Sequence, residues 1–229
     1  MSKLVGKPNS ITYDRKAGRY RDGSGRFVRE AELTRLLDDE VQASTARLTA
    51  ATRLLIDGKL ELGAWERRIA TLLRESHLRA AALGSGGRKQ MTSRHFGAVG
   101  YQLSKQYDWL DRFAHDLYSG KLTTAQALSR VKKYAKSARI SYYRAQQISR
   151  IEEGFNEAKR SLDPQAAHCQ SCLAYSTHGS WVAAHEVTAP GVNCDCGNNC
   201  RCIVVYRRRV EVRVVKEPVN LNKGILSQV

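Results

Sequence analysis

Four long stretches of the chain carry apolar residues at spacings of three, four and seven, the signature of one buried helix face. The first runs from Arg29 to about Asp57, with Leu33, Leu37, Val41, Leu48, Ala51 and Leu55 in register and Gly58 as its C-terminal stop. The second carries Leu62, Trp65, Ile69, Leu72, Ala80 and Leu83 until Gly84-Ser-Gly-Gly87 interrupts it. A third starts near Thr92 or Ser93 and holds Phe96, Val99, Leu103, Tyr107, Leu110, Ala114 and Leu117, ending at Gly120. Thr123 or Thr124 can cap the fourth, which carries Leu128, Val131 and Ala135 and continues through Tyr142, Ile148 and Ile151, with a break expected near Ser137.

Two junctions repeat. Leu55-Ile-Asp-Gly58-Lys59-Leu60 and Leu117-Tyr-Ser-Gly120-Lys121-Leu122 join consecutive helices with the same residue pattern, which suggests two helical hairpins on one plan. Helices of ~25 residues are roughly 38 Å long. The expected fold is therefore mainly α, an elongated bundle of long helical hairpins over residues 29–162.

The pattern changes at both ends. Residues 1–28 are basic and glycine-rich, with short aromatic pieces and too few apolar side chains to bury themselves; an extended arm that orders on a neighbouring subunit is expected. After Pro164 the chain enters a cysteine-bearing module, residues 163–216, with turns at Gly179 and Pro190-Gly191. Trp181 and Val182 are expected to pack inside that module. Cys202-Ile-Val-Val-Tyr206 reads as a short β-strand, and Val210 to Val215 alternates like a second. Residues 217–229 have no periodicity and read as a tail.

All six cysteines lie in this module, as Cys169-Gln-Ser-Cys172 and Cys194-Asp-Cys196-Gly-Asn-Asn-Cys200-Arg-Cys202. Such spacing brings thiolates within reach of one tetrahedral Zn²⁺, at about 2.3 Å per bond. Cys169 and Cys172 supply one half of the site, and the other half comes from Cys196, Cys200 and Cys202. The last two would share a side if Arg201 is extended. Cys194 reads as the spare, and His168 and His185 as outside candidates. A disulfide cluster and free thiols are the alternatives. Four sulfur ligands leave no open position, so the ion would be structural.

Charge extends the picture outward. Lys and Arg number 38 against 22 acidic residues, a net charge of +16, which suits a polyanionic neighbour: nucleic acid or an acidic protein surface. Arg201, Arg207, Arg208, Arg209 and Arg213 are the candidate contacts. Nothing in Met1–Asn9 resembles a signal peptide and no apolar run reaches ~18 residues, so a soluble protein of a reducing cytoplasm is expected. His185-Glu186 lacks a histidine at Ala189, so the zinc-protease pattern is absent. The deaminase signature is missing too. Gly84 to Lys89 does not have phosphate-loop spacing, and Asp38-Asp39-Glu40 lies within a helix, where a solvated acidic face is expected. No serine or cysteine is paired with a base, and a non-enzyme is expected.

The order Asp163, Cys169, Cys172, Gly179, Trp181, Pro190-Gly191, Asn199-Cys-Arg-Cys202 and Ile203–Tyr206 resembles the phage head-morphogenesis proteins, the family of the bacteriophage Mu minor head protein. The lead-in Gly18-Arg-Tyr-Arg-Asp-Gly-Ser-Gly-Arg-Phe-Val28 also looks like the opening of phage structural proteins. Many family members carry His-Pro ahead of the final N-C-R-C, where this chain has Cys196-Gly-Asn, which leaves the fourth ligand open. The resemblance implies a minor virion component present in few copies, made in the host cytoplasm and oligomeric within the assembly. Portal or capsid proteins would be its partners, with packaged DNA as a further contact and no membrane. The rival expectation is a zinc-dependent nucleic-acid-binding regulatory protein, its arginines on phosphates. A metal-dependent nuclease is a weaker third.

Overall fold

Tyr13 and Tyr20 sit edge to face, 4.9 Å between ring centroids, in the middle of the protein's first hydrophobic cluster. They belong to an antiparallel meander of β1 (Thr12–Asp14), β2 (Arg19–Arg21) and β3 (Phe27–Val28). The computed structural model describes residues 11–176 and 180–210. Over residues 11–28 it replaces the expected extended arm. Asp14 and Asp22 close the two turns through their own carboxylates, which accept from backbone N–H groups of Lys16, Ala17, Ser24 and Arg26. Ile11, Tyr13, Tyr20 and Val28 are buried. Four apolar side chains suffice because helices later in the chain supply the rest of the core: the partner that orders this segment is the chain itself.

Four long helices follow, α1 (Glu30–Ile56), α2 (Leu62–Ser85), α3 (Ser93–Tyr118) and α4 (Thr124–Glu152). The mainly α fold expected from periodicity is the fold observed. Helices α2 and α4 pack along each other in the centre, while α1 and α3 each lie against both. The repeated junctions are alike in atomic detail. Gly58 and Gly120 take left-handed φ of 68° and 67°. Each junction closes with the same pair of bonds, Lys59 N–H to Leu54 O and Gly58 N–H to Leu55 O in one, Lys121 to Asp116 and Gly120 to Leu117 in the other. Thr123 caps α4, accepting from Gln126 N–H while Gln126 Oε1 accepts from Thr123 N–H.

Helix α4 is unbroken, contrary to the break expected near Ser137. Ser137 Oγ donates to Tyr134 O and accepts from His77 on α2, so its hydroxyl is satisfied without opening the helix. In α3, Phe96 and Tyr107 point outward and Phe113 inward, because the buried stripe runs through Val99, Leu103, Leu110 and Phe113. Ile151 at the end of α4 is likewise exposed.

Beyond α4 the chain forms β4 (Glu157–Ser161), α5 (Gln170–Ser176), β5 (Val182–Ala183) and β6 (Ile203–Arg207), with sheet order β5-β4-β6, all antiparallel. Strand β6 matches the strand read from Cys202 to Tyr206. Strand β4 lies in the stretch assigned to the helical region, so the sheet crosses the expected boundary at residue 162. Its sequence, Glu-Ala-Lys-Arg-Ser, has no β-branched or aromatic residue, and its pairing comes from tertiary context. Ala158 and Val204 share the first hydrophobic cluster with Tyr20, Leu33, Leu37, Leu83 and Tyr142. The meander, the helices and the C-terminal sheet are thus fused through one core. A second cluster, built on Leu48, Trp65, Ile69, Leu73, Phe113 and Val131, fills the rest of the bundle. The second strand expected to Val215 lies beyond the described residues except for Val210, and Arg213 and the tail 217–229 also lie outside them. No helix among the described residues is long and apolar enough to cross a membrane.

Candidate metal centre

Strand alternation places the first component. In β4, Ala158 and Arg160 face inward while Glu157, Lys159 and Ser161 face outward. Arg160 pairs across the sheet with Val204, and Ser161 with Ile203, which sets Arg160 beside the entry of β6. Cys200 and Cys202 are buried and Arg201 between them is exposed, so the two sulfurs do share a side. The other elements converge on this spot. Cys169 precedes α5 and its sulfur accepts the N–H of Cys172, 3.4 Å away, at the helix start. A single 3-10 turn, Gly197–Asn199, reverses the chain between Cys196 and Cys200, with Gly197 at a φ of 49°.

That turn is clamped to α4. Asn198 Nδ2 donates to Lys133 O at 3.0 Å, Lys136 Nζ donates to Asn199 Oδ1 at 2.5 Å, and Tyr143 Oη donates to Cys202 O at 3.0 Å. The cysteine module is therefore held on α4 at the turn and where β6 begins, and again where Gln147 Nε2 donates to Ala184 O and Val187 O at 2.9 and 3.2 Å.

The sulfurs of Cys172, Cys194, Cys196 and Cys200 all lie within 4.8 Å of one another, an arrangement compatible with a metal site. Individual contacts are 3.4 Å for Cys172 to Cys196, 3.6 Å for Cys172 to Cys200 and 3.5 Å for Cys194 to Cys196. Cys194, set aside as the spare by spacing alone, is inside this group. Cys169 and Cys202, both expected as ligands, lie at its margins, where they hydrogen-bond to members of the four. All six cysteines are free thiols, without a disulfide. Neither histidine joins them: His168 Nε2 lies 2.7 Å from Asp163 O, and the His185 side chain is solvent-exposed beside Glu186. His178 and Gly179 fall outside the described residues.

Arg160 had no place in the sequence reading, and it is the centre's most informative residue. Its guanidinium is only 3% exposed. Nη2 reaches Cys200 Sγ at 3.0 Å and Cys172 Sγ at 3.4 Å, and the Tyr175 ring covers the group at 4.9 Å. No carboxylate pairs with it among the described residues. Burial would lower its pKa, but the negative charge of Cys200 and the hydrogen bond to Cys202 raise it above the ordinary arginine value. Cys200 is pulled down to about 4, chiefly by the hydrogen bond from Cys202, against its burial and with the Arg160 charge helping. Burial pushes Cys172 up to about 12. A buried cation needs a buried anion. Sulfur is the anion available here, and adjacent thiolates at these distances repel one another unless a cation lies between them.

Four of the five arginines expected to meet an acidic partner lie among the described residues, and each has a partner within the chain. Arg201 pairs with Asp163 at 3.1 Å. Arg207 and Arg209 both pair with Glu157, at 2.5 and 3.3 Å, and Arg208 donates to Glu153 O. Arg207 also covers Trp181, as does Lys159, at 4.2 and 5.0 Å. Trp181 is thus a half-buried platform for cations rather than the interior residue expected, and Val182 is exposed. Searches against protein-family models, curated proteins and solved structures find no match to this chain.

Proposed function

We propose that the chain is a non-enzymatic structural component of a phage virion, a minor head or portal-associated protein, whose C-terminal module is stiffened by structural zinc. The observation that carries the metal half is Arg160, a buried cation whose counter-charges are cysteine sulfurs. Thiolates gathered around a buried point favour zinc over harder cations such as Ca²⁺ or Mg²⁺. A sulfur-saturated ion has no open position for substrate, so its role is to hold β4, α5 and β6 together. The virion half rests on the resemblance running from Asp163 to Tyr206 and on exposed aromatic surface. Tyr101, Trp109 and Tyr118 on α3 are exposed and offer aromatic surface to neighbouring subunits. The net charge of +16 suits an acidic portal surface or packaged DNA.

The nucleic-acid-binding regulator is the second reading: Arg201, Arg207 and Arg209 pair with Asp163 and Glu157, but their side chains are 61%, 44% and 68% exposed and such surface pairs exchange readily for phosphates. The test is native mass spectrometry of the zinc-loaded full chain, alone, with a phage portal ring and with duplex DNA. Incorporation into the ring supports the proposal. A monomer that ignores the ring and binds DNA with a steep salt dependence would overturn it in favour of the regulator.

A further inference from the structure

One tetrahedral ion needs four sulfurs, and six converge. Four of them, Cys172, Cys194, Cys196 and Cys200, lie within 4.8 Å of one another, and Cys169 and Cys202, which a single ion would leave free to point elsewhere, pack in the same cluster. The contacts observed are concentrated on two sulfurs. Cys172 meets Cys196 at 3.4 Å and Cys200 at 3.6 Å, and its N–H donates to Cys169 Sγ at 3.4 Å. Cys196 meets Cys194 at 3.5 Å in addition to Cys172. The other four fall into two groups about this pair. Cys194 lies on the Cys196 side and Cys200 on the Cys172 side; Cys202 shares a buried face with Cys200 where the chain enters β6, which leaves Cys169 for the other side.

We propose that the centre is a two-ion thiolate cluster in which Cys172 and Cys196 bridge both ions, Cys169 and Cys194 complete one tetrahedron, and Cys200 and Cys202 complete the other. This rests on the metal reading above and deepens it. Two four-coordinate ions need eight sulfur bonds, which six thiolates supply when two of them are shared. Charge follows the same logic. Six thiolates and two divalent ions leave a net charge of minus two, and Arg160, touching one bridging and one terminal sulfur, removes half of it. Each thiol that binds releases its proton to solvent, so loading is favoured by rising pH.

The full chain, purified under reducing conditions, is titrated with Zn²⁺ and, in a parallel sample, with ¹¹³Cd²⁺. Two ions per chain by native mass spectrometry, and two ¹¹³Cd resonances coupled through shared sulfur, are expected. A Cys202→Ser variant should fall from two ions to one. Should that variant fail to fold, the cadmium spectrum of the unaltered protein still decides. One ion per chain with a single resonance overturns the two-ion cluster and leaves a mononuclear site standing. No bound ion overturns both readings.

Discussion

Arg160 Nη2 stands 3.0 Å from the sulfur of Cys200, forty residues further along the chain, in a setting with almost no solvent. The pairing joins β4 to the sulfur that leads into β6 and makes a strand residue part of the cysteine centre. Exchanging Arg160 for methionine keeps much of the bulk and removes the charge. Arg160→Met should weaken zinc binding by roughly 10- to 100-fold, the usual cost of losing a partner that supports metal ligands. Competition against a chromophoric chelator measures it. An unchanged affinity would show that Arg160 merely fills space. Arg160→Lys should recover part of the loss, since it restores the charge without the planar fork.

His77 makes stability depend on pH. It lies fully buried in the bundle between Ser141, 2.7 Å from Nδ1, and Ser137, 3.1 Å from Nε2. Because Ser137 already donates to Tyr134 O, it accepts from Nε2–H, and Nδ1 accepts from Ser141. Burial lowers the pKa of His77 from 6.5 to about 4. The unfolded chain therefore binds a proton between those values that the folded chain refuses. The contribution is fully present above pH 6.5 and falls as pH drops towards 4, by about 3 kcal/mol in all. Urea unfolding across that window should show a slope reduced by close to one proton in His77→Gln. Equal slopes in the two proteins would contradict the assignment.

The helices were legible because each buries one face against a neighbour: Leu33, Leu37 and Leu48 or Trp65 and Ile69 recur at helical spacing, and Gly58 and Gly120 mark the ends. The reading failed where burial comes from several sides or from distant partners. Helix α4 packs on all three other helices, so Tyr134, Ala138, Tyr142 and Tyr143 are buried around most of its circumference and the period blurs. The meander looked too polar because its core partners, Leu33, Leu83 and Tyr142, are remote in sequence. Cysteine spacing located the centre but not its membership. Cys194 and Cys196 share one side because the chain turns between Cys194 and Gly197, whose N–H donates to Cys194 O at 2.8 Å, a local bend that spacing does not reveal. Arg160 carried no signal, since a lone arginine in Glu-Ala-Lys-Arg-Ser reads as solvated until the strand direction is known.

Glycines in two helices should respond in opposite directions to one added methyl group. A Cβ at Gly84 would stand 2.2 Å from the carbonyl oxygen of Tyr142, where α2 and α4 approach most closely, and the Gly84 carbonyl also accepts from Tyr20 Oη at 2.7 Å. Gly84→Ala must push the two central helices apart and should cost about 1–3 kcal/mol, or more if the backbones resist. Gly100, on the outer face of α3, has open space around it. Gly100→Ala should add about 0.5–1 kcal/mol by lowering the entropy of the unfolded chain and favouring the helix. Denaturant midpoints of the two variants test the contrast. Similar shifts in both would mean that α2 and α4 do not meet at Gly84.

Removing metal should undo one part of the protein and spare another. The second hydrophobic cluster contains no cysteine and is closed by Trp65, Phe113 and Tyr134, whose rings stack or meet edge to face at 5.3 and 5.9 Å. The cysteine cluster has little apolar surface of its own beyond Leu162 and the thiols, and one turn of 3-10 helix is too little regular structure to hold six cysteines together by itself. With metal gone, the ties from Asn198, Asn199 and Cys202 to α4 lose their fixed geometry, and β6 loses the anchor at its start. Hydrogen exchange after chelation should therefore show lost protection in β6 and in the facing residues of β4, with the middle of α2 and α3 unchanged. Readdition of zinc under reducing conditions should restore it. Uniform loss of protection would mean that the metal centre and the bundle fold as one unit. Unaltered protection in β6 would mean that the sheet stands on Ala158, Val204 and Tyr206 without the metal.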